Sequence, residues 1–345
     1  MWRMPAEWEP HEATWLAWPH ERTDWPGKFA PIPWVYGGIV KHLARVEKVR
    51  ILVEDAALEK SVRRVLNKCL VDMSAVEFFR WPTNRSWTRD YCPIFVRGEK
   101  GEIAVTNWLF NGWAKYDNWR DDNRIPTRIA KSFAKRCKGT REFEPGIVLE
   151  GGSIDVNGAG LMLTTEECLL SESVQVRNPG LGRQDLERYF ADYLGIRQTI
   201  WLKQGIAGDD THGHIDDLAR FVDENTVVIA SEDDPSEVNY APLRENLKLL
   251  KRTGLRVVTL PMPAPIYFDG QRLPASYANF YIANGLVLVP TFNDPNDRVA
   301  LNTLAKLFPS REVVGIYCGD LVLGLGTLHC MTMQEPAREP GQQPA

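Results

Sequence analysis

The sequence predicts a mixed α/β fold built as one continuous unit. Three observations carry this. Short runs rich in Val, Ile and aromatic residues, bounded by Gly, Pro, Asn or Asp, recur along the chain. Single segments with apolar residues at helical spacing lie between groups of them. No Ser/Gly-rich linker or long charge run divides the 345 residues. The alternation has a loose period and the sequence repeat is weak, which indicates α/β or α+β layers around one core.

Taken in order, VRILVED, AVEFFRW, CPIFVRG, EIAVTNW, GIVLEGGSIDV and AGLMLTTEECLL read as strands in the first half. TVVIASE, LRVVTLPM, FYIANGLVLVP and EVVGIYC read as strands in the second. The helical segments are YGGIVKHLARVEK, AALEKSVRRVLNKCL, TRIAKSFAKRC, RQDLERYFADYLG, APLRENLKLLKRTG and VALNTLAKLF. Gly195 and Gly254 follow two of them where a C-terminal glycine cap belongs. A single domain is expected over residues 1–337, and the Pro/Gln/Gly-rich stretch 338–345 is expected to be a disordered tail.

The 44% hydrophobic and 25% charged content is that of an ordinary globular protein. A net charge of −4 gives no support to nucleic-acid binding. The longest apolar runs are too short to span a bilayer, and the N-terminal MWRMPAEWEP has no apolar signal core. The expected location is therefore cytoplasmic, with the six scattered cysteines reduced. Eleven of the 12 tryptophans lie at or before Trp119, which suits either core packing or the walls of a pocket for a flat cation.

Four segments look unlike plain core or turn sequence: WTRDYCP, LEGGS, GDDTHGHIDD and LGTLHCMTMQEP. Cys330 follows a glycine-punctuated stretch that allows close approach of a ligand, yet the local sequence by itself favours a buried structural thiol. Only a thiolate is a strong nucleophile, so Cys330 needs a cationic neighbour or a cationic substrate. In GDDTHGHIDD, extended backbone would put His212, His214 and Asp216 on one face. That arrangement is open to a metal site, to acid–base chemistry beside a cation-gripping carboxylate, or to a polar turn. Asp90 and Glu150 each carry a functional reading beside a bland one, a surface ion pair for Asp90 and a bulge or turn for Glu150. His329 is not favoured as the base, because extended chain would turn it away from Cys330.

Together and in this order, the segments resemble the agmatine deiminase and bacterial-type peptidylarginine deiminase family, with the pentein fold. The likeness runs from MPAEWEPHEATWLAWPH through WTRDYCPIFV, FNGWAKYDNW, LEGGSIDVNGAGLMLTTEECLL, RNPGL and DDTHGHIDDLARFV to LHCMTMQEP. It implies an α/β propeller of five ββαβ-type units, no metal and no organic cofactor. It implies Cys330 as nucleophile, His214 as general acid/base, Asp90 and Asp216 as the guanidinium clamp, and Glu150 as support for the histidine. Trp87 and Trp113 are candidate pocket walls for substrate. The implied partner is a small cationic guanidine, with nucleic acid and membrane excluded and a homo-oligomer left open.

The resemblance departs at Leu325 and Thr327 before the nucleophile, at His212 and at Cys92. These changes spare the residues of the chemistry and fall where the substrate's tail would be read. Agmatine is the expected substrate. Deimination of arginine or peptidyl arginine is the alternative, beside an amidinotransferase on the same fold, a metallohydrolase and a non-catalytic guanidine-binding protein.

Overall fold

A computed structural model describes residues 2–136 and 140–338. Cys137 and all of the expected tail after Arg338 lie outside the described residues. Among the described residues there are five sheets of three or four strands and one small hairpin. No helix among them is long and apolar enough to cross a membrane.

The five sheets share one connection. An antiparallel pair is followed by a helix, and the helix returns the chain to a strand parallel to the second of the pair. The clearest case pairs Tyr281–Ala283 with Leu286–Thr291, crosses through the helix Asn296–Leu307 and adds Glu312–Tyr317 in parallel. The same pattern joins Ala219–Asp223, Thr226–Ser231 and Arg256–Pro261 through Tyr240–Leu250. It joins Asp155–Val156, Leu161–Thr165 and Gln198–Leu202 through Arg183–Leu194. Ile94–Gly98, Ile103–Thr106 and Glu142–Phe143 are linked through Ile125–Arg136, with Trp2–Arg3 added at the edge. The fifth sheet spans both ends of the chain. Met333–Pro336 pairs antiparallel with His11–Ala17, which runs through the helix Ile32–Leu43 to Lys48–Val53. A further crossover through Ala56–Lys68 adds Val76–Arg80.

The periodic helices form where expected, with ends set by local chemistry. Ile32–Leu43 begins ahead of the predicted tyrosine because prolines occupy its first turn. Arg183–Leu194 stops at Gly195, whose left-handed φ of +69° closes the cap.

Four strands of four or more residues escape the pattern reading: His11–Ala17, Gln198–Leu202, Ala219–Asp223 and Met333–Pro336. Two of them carry buried charges where apolar residues would mark a strand. Arg220 is fully buried against Asp155 and Glu7, and Glu335 against Arg50 and the Trp15 indole N–H. Ion pairing, between two sheets for Arg220 and Asp155 and within one sheet for Glu335 and Arg50, balances these charges, so the strand forms without its usual alternation.

GIVLEGGSIDV is not one strand. The backbone N–H and hydroxyl of Ser153 both donate to the Glu150 carbonyl, closing a one-turn 3-10 helix at Gly151–Ser153. Within AGLMLTTEECLL, the Thr165 hydroxyl accepts from the Cys168 N–H and converts the strand end into a helical turn at Glu166–Leu169.

Candidate active site

Each of the five units contributes the segment just before its first paired strand. Asp90 lies on the single helical turn Thr88–Tyr91, ahead of Ile94–Gly98. Glu150 caps the turn that leads to Asp155–Val156. His214 caps the turn Ile215–Asp217, which leads to Ala219–Asp223 and carries Asp216. Asn279 precedes Tyr281–Ala283, and Cys330 precedes Met333–Pro336. Five residues far apart in sequence therefore meet because equivalent positions converge.

GDDTHGHIDD is not extended. His212 is left-handed at φ +63° and Gly213 at +95°, and Asp209 accepts from the N–H groups of Gly213 and His214 at 2.8 Å each. The turn sends His212 toward Glu167, at 3.9 Å, and His214 into the interior. The expected trio of His212, His214 and Asp216 is thus not assembled. The groups of potential metal-ligand atoms among the described residues are Glu150 with Cys168 and His214, and Asp216 with Asp217 and Cys330.

His214 is 1% exposed and stands among three carboxylates. Its Nδ1 is 3.8 Å from Asp90 and 3.9 Å from Asp216, and its Nε2 is 3.7 Å from Glu150. Both ring nitrogens lack a hydrogen-bond partner, as do Glu150 Oε2 and Asp216 Oδ1. Such a group of buried polar atoms facing one another is what a bound polar ligand would satisfy. Gly152 is part of the cradle. Its N–H donates to Asp90 Oδ1 at 3.0 Å, and a Cβ there would lie 2.6 Å from His214 Nδ1 and 2.8 Å from Asp90 Oδ1.

Cys330 Sγ lies 3.7 Å from Asp216 Oδ2 at the base of a cleft of about 360 Å³, mouth included. Trp87 and Trp113 line its walls, and a carboxylate holds each indole N–H, Asp24 at 3.1 Å and Asp90 at 2.9 Å. A Cβ on Gly326 would press on Trp87 at 2.9 Å and on the Cys330 Cβ at 3.0 Å, so glycine lets the loop lie flat beside the thiol. Leu325 lines the cleft in a left-handed conformation, φ +67°. At the mouth, Asp210 accepts from Lys115 at 2.5 Å and from the Tyr116 hydroxyl at 2.7 Å, while Arg85 pairs with Asp24.

The electrostatics follow from burial. Burial pushes the Cys330 thiol well above its ordinary range, and the charges of Asp216, Asp217 and Asp90 add to the effect. Burial lifts Asp90 to about 6, opposed by His214 and helped by Asp216 and Glu150. Burial alone would raise Glu150 too, but the Arg177 guanidinium 3.1 Å away brings it down to about 2. Burial works against the His214 imidazolium, yet the charge of Asp90 and contacts with Cys168 and Glu150 hold it well above the usual value. Near neutral pH the free site thus pairs a neutral thiol with an imidazolium and a surplus of carboxylate.

All seven predicted residues lie in or beside the cleft. Asp90 is buried and its neighbour Arg89 pairs with Glu7 instead, so the surface ion pair considered for it does not form. His329 is buried too, on a turn and not in extended chain. Its Nδ1 sits 2.7 Å from Asp216 and its Nε2 2.8 Å from Glu7. Sequence reasoning missed Asn279, Arg177 and Glu7. For Asn279 the available signal was its place ahead of FYIANGLVLVP, equivalent to the place Asp90 holds ahead of CPIFVRG. Of the four departures, Leu325 lines the cleft, Thr327 is buried and donates to Asn279 at 2.7 Å, Cys92 is buried, and His212 stays outside.

The chain is similar to proteins already known. A family model described as Porphyromonas-type peptidyl-arginine deiminase matches residues 3–336. An agmatine deiminase of Pseudomonas syringae pv. syringae (strain B728a) is 34% identical over 97% of this chain and 95% of its own length. A solved C. jejuni agmatine deiminase with substrate bound matches 98% of this chain and 97% of its own, with TM-score 0.89 and 32% identity. The agmatine deiminase of Enterococcus faecalis matches 98% of this chain and 96% of its own, with TM-score 0.88 and 30% identity.

Proposed function

Because the chain belongs to the Porphyromonas-type peptidyl-arginine deiminase family, we propose that it is a hydrolase of linear amidine C–N bonds that converts agmatine to N-carbamoylputrescine and ammonia. The observation that carries this reading is the pair Asp90 and Asp216, set around one thiol and one histidine at the foot of an aromatic cleft. We infer also that the five units close around an axis as a pentein propeller. Their common connectivity, and the pairing of both chain ends in one sheet, support it.

A guanidinium is planar and permanently charged, and two carboxylates can grip its nitrogens through charge-assisted hydrogen bonds. In the proposed reaction Asp90 and Asp216 hold the plane so that Cys330 meets the central carbon face-on. The arriving cation offsets the carboxylates that disfavour the thiolate, so the substrate helps to generate its own nucleophile. The thiol proton passes to solvent as the cation binds, sulfur adds to carbon, the His214 imidazolium gives its proton to a departing –NH₂, and ammonia leaves an S-alkylthiouronium on Cys330. Neutral His214 then takes a proton from water, the oxygen adds to the same carbon, and the C–S bond breaks as the new hydroxyl proton passes to the departing sulfur, releasing the ureido product and restoring the thiol. Glu150, held ionised by Arg177, steadies the imidazolium form.

The mouth favours a second positive charge. Asp210 faces the cleft, and its partner Lys115 is 41% exposed, so a substrate ammonium can take the place of that weak surface pair. Arg85, already neutralised by Asp24, offers little to an α-carboxylate. A panel of agmatine, arginine and a blocked peptidyl arginine, scored for ureido product, tests the assignment. Agmatine is expected to lead in kcat/KM by about tenfold or more, and a lead by either arginine substrate would reassign the enzyme.

Two further results are expected. Asp90 grips the guanidinium only when ionised. As its carboxyl is lifted to about 6, kcat/KM should fall as pH drops through about 6, well above the range of an ordinary aspartate. A flat profile down to pH 5 would remove Asp90 from the clamp. Gly152→Ala should lower kcat/KM by about a hundredfold or more with little change in melting temperature. Gly152 has no left-handed strain to relieve, so the added methyl acts only by filling the cradle.

A further inference from the structure

Four of the five converging positions have a role in the reaction proposed above. The fifth, Asn279, does not, although its side chain is the one that reaches the sulfur. Its Nδ2 donates to Cys330 Sγ at 3.1 Å and to Asp217 Oδ1 at 2.9 Å. Its Oδ1 accepts from the Thr327 hydroxyl at 2.7 Å and from the His329 N–H at 2.9 Å, with the Cys330 N–H at 3.4 Å. These partners fix which way the amide faces. Turning it over would aim an oxygen at the thiol and point N–H groups at the backbone N–H donors of His329 and Cys330. Asn279 is fully buried, so the arrangement is screened from water.

From this geometry we propose that Asn279 is a catalytic residue of the deiminase, a fixed amide donor that stabilises the Cys330 thiolate and its developing charge. The inference rests on the deiminase reading. The need for such a donor is local. Of the titratable groups around the sulfur, Asp216, Asp217 and Asp90 oppose its ionisation, and the buried Tyr36 phenol also interacts with it. The other favourable contact is a hydrogen bond from the Thr327 backbone. An N–H donor strengthens as its acceptor gains charge, so Asn279 contributes most once the thiolate forms and less to the resting thiol. It is held in place before reaction, so no reorganisation is required of it. The same amide ties down the backbone just before the nucleophile, through His329 and Thr327, so donor and sulfur keep a constant separation.

Asn279→Ala tests the donor, read in two ways. At pH 8 the alkylation of Cys330 by uncharged iodoacetamide, followed by mass spectrometry of its peptide, should slow about tenfold. For agmatine, kcat should fall about ten- to a hundredfold while KM changes less than about threefold, because the clamp is untouched. Asn279→Asp, of equal size, serves if the alanine variant fails to fold. It keeps an acceptor for Thr327 and His329 but sets a carboxyl against the sulfur, and alkylation should slow at least as much. Alkylation at the wild-type rate in either folded variant overturns the proposal, even if kcat falls, since that pattern belongs to a residue that only anchors the loop. Wild-type enzyme inactive on every guanidine tested would instead sink the deiminase reading, and the alkylation comparison would still decide what Asn279 does to the thiol.

Discussion

Replacing Cys330 with alanine is expected to lower agmatine turnover by about ten-thousandfold or more, below detection in a ureido-product assay. The size of the effect comes from what the other groups can do alone. Asp90 and Asp216 bind and orient a cation, and His214 moves protons, but a guanidinium is a poor electrophile and water a weak nucleophile. Without sulfur the remaining groups keep only positioning. Binding should survive, since the clamp and the tryptophan walls do not depend on the thiol. A calorimetric titration of the alanine variant with agmatine should therefore still give a saturable isotherm. Wild-type enzyme quenched during turnover should carry on the Cys330 peptide the mass of agmatine less ammonia, the N-alkylamidino adduct. Retention of a few per cent of activity in the alanine variant would mean that the reaction proceeds without covalent catalysis.

Asp216→Asn should move two rates in opposite directions. Turnover of agmatine is expected to fall by about a hundred- to a thousandfold, because half of the buried clamp loses its charge. Alkylation of Cys330 by a neutral reagent should become faster, because Asp216 is the strongest of the charges that hold the thiol protonated, after burial itself. The pairing of effects is diagnostic. A variant that merely loosened the site would lose turnover and gain alkylation at all cleft groups alike, whereas loss of one charge acts on the sulfur 3.7 Å away and leaves the pinned tryptophans in place. If alkylation slows in this variant, Asp216 is not a source of the high thiol value, and the idea that substrate charge releases the nucleophile fails with it. His329 also loses one hydrogen-bond partner here, although its contact with Glu7 at 2.8 Å should hold the ring.

Much of the local structure was legible in the sequence because it is decided locally. Helices such as Ala56–Lys68 and Arg183–Leu194 announce themselves by apolar spacing, a capping aspartate at Asp55 and a terminal glycine at Gly195. Strands with apolar runs were equally plain. Those that carry buried Arg220 or Glu335 were not, since a charge is read as exposed until its partner is known. The sequence leaves the segment around His214 open between an extended run and a polar turn, because its turn is made by Asp209 accepting two backbone N–H groups, a local device hidden among four aspartates.

The sequence by itself determined which chemical groups the protein has to use: one thiol among glycines, a histidine beside a carboxylate, and two further acids at strand approaches. Those choices are covalent and need no fold to be recognised. The tertiary structure alone decided that they meet, and what each becomes on meeting. Asp90 is lifted to about 6, Glu150 is brought to about 2, and Cys330 is kept a thiol, because burial and neighbouring charge set these values and both are properties of the assembled site. It also decided that a seemingly ordinary Asn279 faces the sulfur, since Asn279 and Cys330 stand 51 residues apart ahead of strands in different sheets and meet only in the folded chain.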